Sequence, residues 1–123
     1  MSKMSMSREQ RAQLAWSVLA GAARNRQTLT YEILAEVIDM GHGGTLAPIL
    51  GDVMYYCALN DLPALTVLVV NKTGEPSDGL TTVKPKNYDR ERERVFNELW
   101  FHRPIPTAAE FLEARKQGEA AAL

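Results

Sequence analysis

Cys57 is the only cysteine of the chain, and His42 and His102 are its only histidines. These are the residue types that could supply a nucleophile, a proton relay or a metal ligand, yet they stand far apart and lack the spacing of a zinc set. No metal and no cofactor are expected, and one cysteine excludes an internal disulfide. Cys57 falls in an apolar helical stripe, where a buried thiol without a cationic neighbour stays protonated and unreactive. His42 lies in the turn "GHGG". There it could contact a phosphate or a partner, although an exposed turn residue is the plainer reading. A hydrolase built on His42 or His102 lacks a visible orienting group. No P-loop, dinucleotide-binding glycine pattern, Ser/His/Asp arrangement or H-E-x-x-H motif occurs. The chain reads as non-enzymatic.

Binding chemistry is better represented. The run "KPKNYDRERER" gathers Lys84, Lys86, Arg90, Arg92 and Arg94, with Lys72 on the turn before it. A phosphate-binding patch is one reading. Asp89, Glu91 and Glu93 interrupt the cations, however, so the alternation alone favours a solvated face. Asp52 and Asp61 lie on or at the end of a helix that carries no Lys or Arg. Phosphate would repel such carboxylates, which argues against insertion of that helix into a DNA groove. With His42 and Trp100, Asp52 is a candidate contact for a protein partner. Trp100 and Phe101 are adjacent, so one helical core stripe cannot take both; packing under the last helix is favoured over a partner contact.

These groups must be held by a small scaffold. At 123 residues with a formal charge of -1, the chain fits one domain with a core of its own and has no global attraction for phosphate or anionic lipid. The start, "MSKMSMSREQ", has no apolar signal segment, and no stretch approaches the roughly 18 apolar residues of a membrane span. A soluble, cytoplasmic protein is expected.

Ser7 and Gln10 have capping-box spacing and open a helix from Arg8 to Arg24, with Leu14, Val18 and Ala22 as its buried stripe. Thr30 caps a second helix, Leu29 and Leu34 staple it, Ile33, Leu34, Val37 and Ile38 face inward, and Gly41 ends it. Thr45 caps a third, whose residues Leu46, Ile49, Leu50, Val53, Met54 and Cys57 give the clearest helical period in the chain. The apolar, β-branched Leu65 to Asn71 predicts a strand, "KTGEPSDG" a turn, and Leu80 to Val83 a short returning strand. Asp89 would cap a fourth helix carrying Val95, Phe96, Leu99 and Trp100. Thr107 and Glu110 repeat the capping-box spacing before a fifth. The fold class is mainly α with a small β-ribbon, a winged helix-turn-helix plus two C-terminal helices. Residues 1–6 form a flexible leader, 7–83 the winged-helix-like core, 84–116 a helical extension and 117–123 a flexible tail.

Thr30, Tyr31, Glu32, Ile33, Leu34 and Ala35 follow a T-Y-G-x-(I/L)-A pattern with Glu in place of Gly. Asn60 and Pro63 form N-x-x-P, followed by Val69, Val70 and a glycine-containing turn. In these features residues 8–81, a little over half of the chain, resemble the C-terminal domain of alkylguanine-DNA alkyltransferases and their non-catalytic alkyltransferase-like relatives. The family's reactive Pro-Cys-His-Arg falls on Leu65, Thr66, Val67 and Leu68, and the arginine it inserts into the DNA stack falls nearest Leu46. The resemblance implies an inherited fold without alkyl transfer, with Tyr31 as the kept DNA-contacting side chain. The leading expectation is a non-catalytic module that contacts DNA through Tyr31, Lys72, Lys84, Lys86 and Arg90. The alternative is a protein-interaction or inhibitor role toward a nucleic-acid-processing partner, or a homodimer, as in an accessory protein of a mobile element or defence system.

Overall fold

The computed structural model describes residues 6–40 and 46–123. Helix α1 spans Arg8–Arg24. Its first turn is closed by the expected capping box: the Ser7 hydroxyl accepts from the Gln10 N–H at 3.0 Å, and the Ser7 N–H donates to the Gln10 side chain at 2.9 Å. The buried face differs from the expected stripe. Ala12, Ala15, Trp16, Leu19, Ala20, Ala22 and Ala23 are buried, whereas Leu14 is 38% exposed. Alanines let the neighbouring elements approach closely around Trp16, a face that a count of large aliphatic residues does not register. Trp16 stands edge-on to Tyr56, Trp100 and Phe111, with ring centroids 5.5, 5.4 and 6.0 Å away. Such aromatic contacts add to the area they bury. They join α1 to three later segments.

Strand β1, Leu29–Thr30, leads into helix α2, Tyr31–Val37, and the Thr30 hydroxyl caps it by accepting from the Ile33 N–H at 3.2 Å. Leu34 and Ile38 are buried with Ala35, but Ile33 and Val37, expected to face inward, are 47% and 58% exposed. The helix ends at Val37, and Asp39 takes the left-handed conformation at φ 57°. The expected stop at Gly41, the GHGG turn with His42 and the Thr45 cap lie outside the described residues, as do residues 1–5 of the expected leader. Helix α3, Leu46–Leu59, buries Leu46, Ile49, Leu50, Val53, Met54 and Cys57 as its period predicts, and Asp52 with them.

The antiparallel ribbon does not form among the described residues. Leu65–Leu68 is a fully buried 3-10 turn, and only Val69–Val70, strand β2, is extended. It pairs in parallel with β1, Leu29 opposite Val69 and Thr30 opposite Val70. The run is apolar because it is enclosed on all sides, a signal that does not separate strand from buried turn. Residues 80–83 make no ladder; Leu80 turns into the core. The segment between is a loop closed by the Asn71 N–H on Glu75 O at 2.8 Å and the Gly74 N–H on Asn71 O at 2.9 Å. Gly74, at φ 87°, supplies a backbone geometry that other residues rarely adopt.

A 3-10 turn, Pro85–Asn87, enters helix α4, Tyr88–Asn97, so the cap is Asn87 rather than Asp89. A further 3-10 turn, Trp100–His102, carries Trp100 into the core, where its indole N–H donates to Val95 O at 2.8 Å. Helix α5, Ala108–Ala120, starts with the expected Thr107 and Glu110 box. It continues beyond residue 117, where a tail was expected, and Gly118 lies against Tyr55, whose ring an added Cβ would overlap. Helices α1 and α5 both pack on α3. The fold is thus mainly helical with one small parallel sheet. No helix among the described residues is long and apolar enough to cross a membrane.

Candidate nucleic-acid interface

The charge run that alternates in sequence is sorted by the fold. Glu91 is drawn inward, its side chain 12% exposed, where it accepts from the Ala64 N–H at 2.7 Å and pairs with Arg94 at 2.7 Å. Asp89 pairs with Arg92 at 3.1 Å, within one turn of α4. Glu93 reaches Arg26, just past the end of α1, at 2.7 Å. Each acidic group of the run therefore has a cation beside it. Lys84, Lys86 and Arg90 have no ion-pair partner among the described residues, and all three are exposed.

These cations share one place. They line an open groove of about 660 Å³ between the first turns of α4 and the Ala58 to Ala64 connection that leaves α3. The carboxylates in its lining are Asp61 and Glu91, the latter already held by Arg94 and a backbone N–H. The groove is therefore cationic by surplus. Its lining contains no aromatic side chain on which a base could stack.

The other sequence-predicted residues lie elsewhere. Lys72 is exposed on the 71–79 loop and does not line the groove. Tyr31 is half-buried, and its hydroxyl accepts from the Ser77 N–H at 2.9 Å, which ties the loop to α2. Together with Thr66 and Leu80 it lines a separate cavity of about 50 Å³. Thr66, at the position where the resembled family has its cysteine, is buried, and its hydroxyl has no hydrogen-bond partner among the described residues. Leu46, at the position of the inserted arginine, is core and 1% exposed. Burial pushes the Cys57 thiol up to about 12, leaving it protonated and enclosed.

Two of the candidate partner contacts are buried in the structure. Trp100 is 3% exposed and packs in the core, the favoured reading of its position. Asp52 is not surface at all. Its side chain is fully buried, 2.8 Å from Arg8 and 3.3 Å from Arg115, and Arg115 also pairs with Glu9 at 2.8 Å. Burial pushes the Asp52 carboxyl above its ordinary range, against the pull of Arg8 and Arg115. Arg115 is raised: burial works to lower it and is outweighed by its bond to Glu9 and the field of Asp52. Sequence reasoning missed this cluster. The available signal was a lone carboxylate inside the apolar run of α3, but its partner Arg115 lies 63 residues on. Among the described residues no group of three or more His, Cys, Asp or Glu side chains is arranged to hold a metal ion.

Compared with protein-family models, with curated proteins and with solved structures, the chain finds no match.

Proposed function

We propose that this chain is a non-catalytic module that contacts DNA through backbone phosphates, with Lys84, Lys86 and Arg90 as the contact side chains. The observation that carries the reading is their convergence on one groove, unpaired, while the acidic residues of the same run are engaged by Arg26, Arg92 and Arg94. Contacts to phosphate fix position without reading sequence, and α3, without a Lys or Arg, offers little for base edges. The resemblance to alkyltransferase-like proteins supports a winged-helix-type origin for the α2 and α3 pair. In this reading the 71–79 loop with Lys72 stands where a wing would be. The absence of a cysteine from Leu65–Leu68 and the enclosed Cys57 thiol favour binding without alkyl transfer.

Fluorescence anisotropy with labelled duplex and single-stranded DNA at two salt concentrations tests this. Three phosphate contacts predict a log–log salt slope of about -3 on duplex, from roughly -0.9 per contact. The double variant Lys84→Glu/Lys86→Glu should weaken binding to all sequences alike and flatten that slope by about 2. Unchanged affinity in the variant refutes the assignment. Absence of binding at low salt refutes the function.

A further inference from the structure

The C-terminal end of α4 bears a second concave surface, bordered by exposed apolar side chains. Leu99, Phe101 and Ile105 are 61%, 64% and 50% exposed, in a short stretch of chain. Beside them a cleft of about 390 Å³ opens between α1, at Ala20 and Arg24, and the Phe96 to His102 segment. Its floor is apolar, since Ala20 and Trp100 are buried there.

This exposure is built rather than slack. Trp100 anchors the segment in the core between the two outward residues, through its hydrogen bond to Val95 and its edge contact with Trp16. Arg103 clamps Glu98 at 2.6 Å, and the Pro106 carbonyl accepts from the Gln13 side chain at 3.0 Å. Leu99 and Phe101 are therefore held outward on a platform fixed on both sides, which lowers the ordering cost of covering them. Closely spaced exposed apolar side chains of this kind mark interaction sites.

Charge selects the occupant. Arg24 on the cleft has no ion-pair partner among the described residues, His102 is exposed beside it, and the lining carboxylate, Glu98, is neutralised by Arg103. A second copy meeting face to face would bring Arg24 toward Arg24, and a nucleic-acid base could stack on Phe101 but would bring no apolar side chain to pack on Leu99. We propose that this cleft docks a protein segment with one large apolar anchor flanked by Asp or Glu. The chain then has two separate faces, a phosphate-facing groove at the start of α4 and a peptide-docking cleft at its end, and the second does not depend on the first.

The test is selection of a randomised peptide library, displayed on phage, against the immobilised full chain. Retained peptides are counter-selected on the Phe101→Ser variant, whose substituted side chain is mostly in solvent. The expected outcome is enrichment of a large apolar residue with neighbouring Asp or Glu. A synthetic peptide of that consensus should lose about tenfold in affinity on Phe101→Ser, and also on Arg24→Glu, with thermal stability unchanged. No enrichment, a consensus without acidic residues, or equal affinity for the Phe101→Ser variant overturns the proposal. So does concentration-dependent self-association of the wild type that Phe101→Ser abolishes, which would assign the cleft to a second copy.

Discussion

Two regions of this molecule are built from the same side chains and come out opposite. In one, Glu9, Arg8, Asp52 and Arg115 meet from three helices at a site where Asp52 has no exposed surface. In the other, carboxylates and cations alternate along α4 on the surface, and the helix geometry pairs some and leaves three cations facing one groove. A buried charge has to be matched within the protein, because desolvation makes an unmatched one costly. A surface charge faces no such demand, since water screens it, so an unpaired surplus can persist for a ligand. Full internal pairing goes with structure; convergent unpaired charge is what the proposed phosphate contact rests on.

The contrast is broken most directly at Asp52. Asp52→Ala removes the carboxylate that Arg8 and Arg115 share and should cost about 1–3 kcal/mol in urea unfolding. A loss below about 0.5 kcal/mol would mean that the inner cluster is as screened as the surface run. The corresponding surface change, Arg90→Glu, should move stability by no more than about 0.5 kcal/mol while reducing duplex DNA affinity at low salt. A large loss of stability there would transfer Arg90 to the structural class.

Acidity sharpens the comparison. A carboxyl raised above its unfolded value of 3.8 by burial holds its proton more tightly in the folded state. Its contribution to stability is complete below that pH and declines as pH rises through the folded value. The advantage of the wild type over Asp52→Asn should therefore narrow as pH increases from 3.8 toward neutrality. Urea midpoints of both proteins across that range check the sign, and an advantage that widens with pH would contradict it. The smallest expected signal is at Cys57: with its thiol pushed up to about 12 and buried, a thiol reagent at mildly alkaline pH should label only unfolded protein.

The starts of α1, α2 and α5 were legible because capping is local chemistry. Ser7 with Gln10, Thr30 with Ile33, and Thr107 with Glu110 satisfy backbone N–H groups within one turn, and each functions as its spacing indicates. The face of α3 was legible for a similar reason, since its large apolar residues recur with the helical period. The face of α1 was not: alanine is weakly apolar, and its value in the core lies in the close approach it allows around Trp16. Leu65–Leu68 misled because burial from every side produces the same composition in a strand and in a 3-10 turn. The groove cations Lys84, Lys86 and Arg90 were visible as residues, but their lack of partners was not, because Glu93 pairs with Arg26, 67 residues away.

The sequence by itself determined that helices form, the caps of α1, α2 and α5, and the absence of an internal disulfide, all of which rest on neighbours within a turn or on residue count. Only the tertiary structure decided that β2 pairs in parallel with β1, that Asp52 is buried, and which cations of the 84–94 run remain unpaired. Those outcomes depend on contacts between residues distant along the chain, and local spacing carries no record of them.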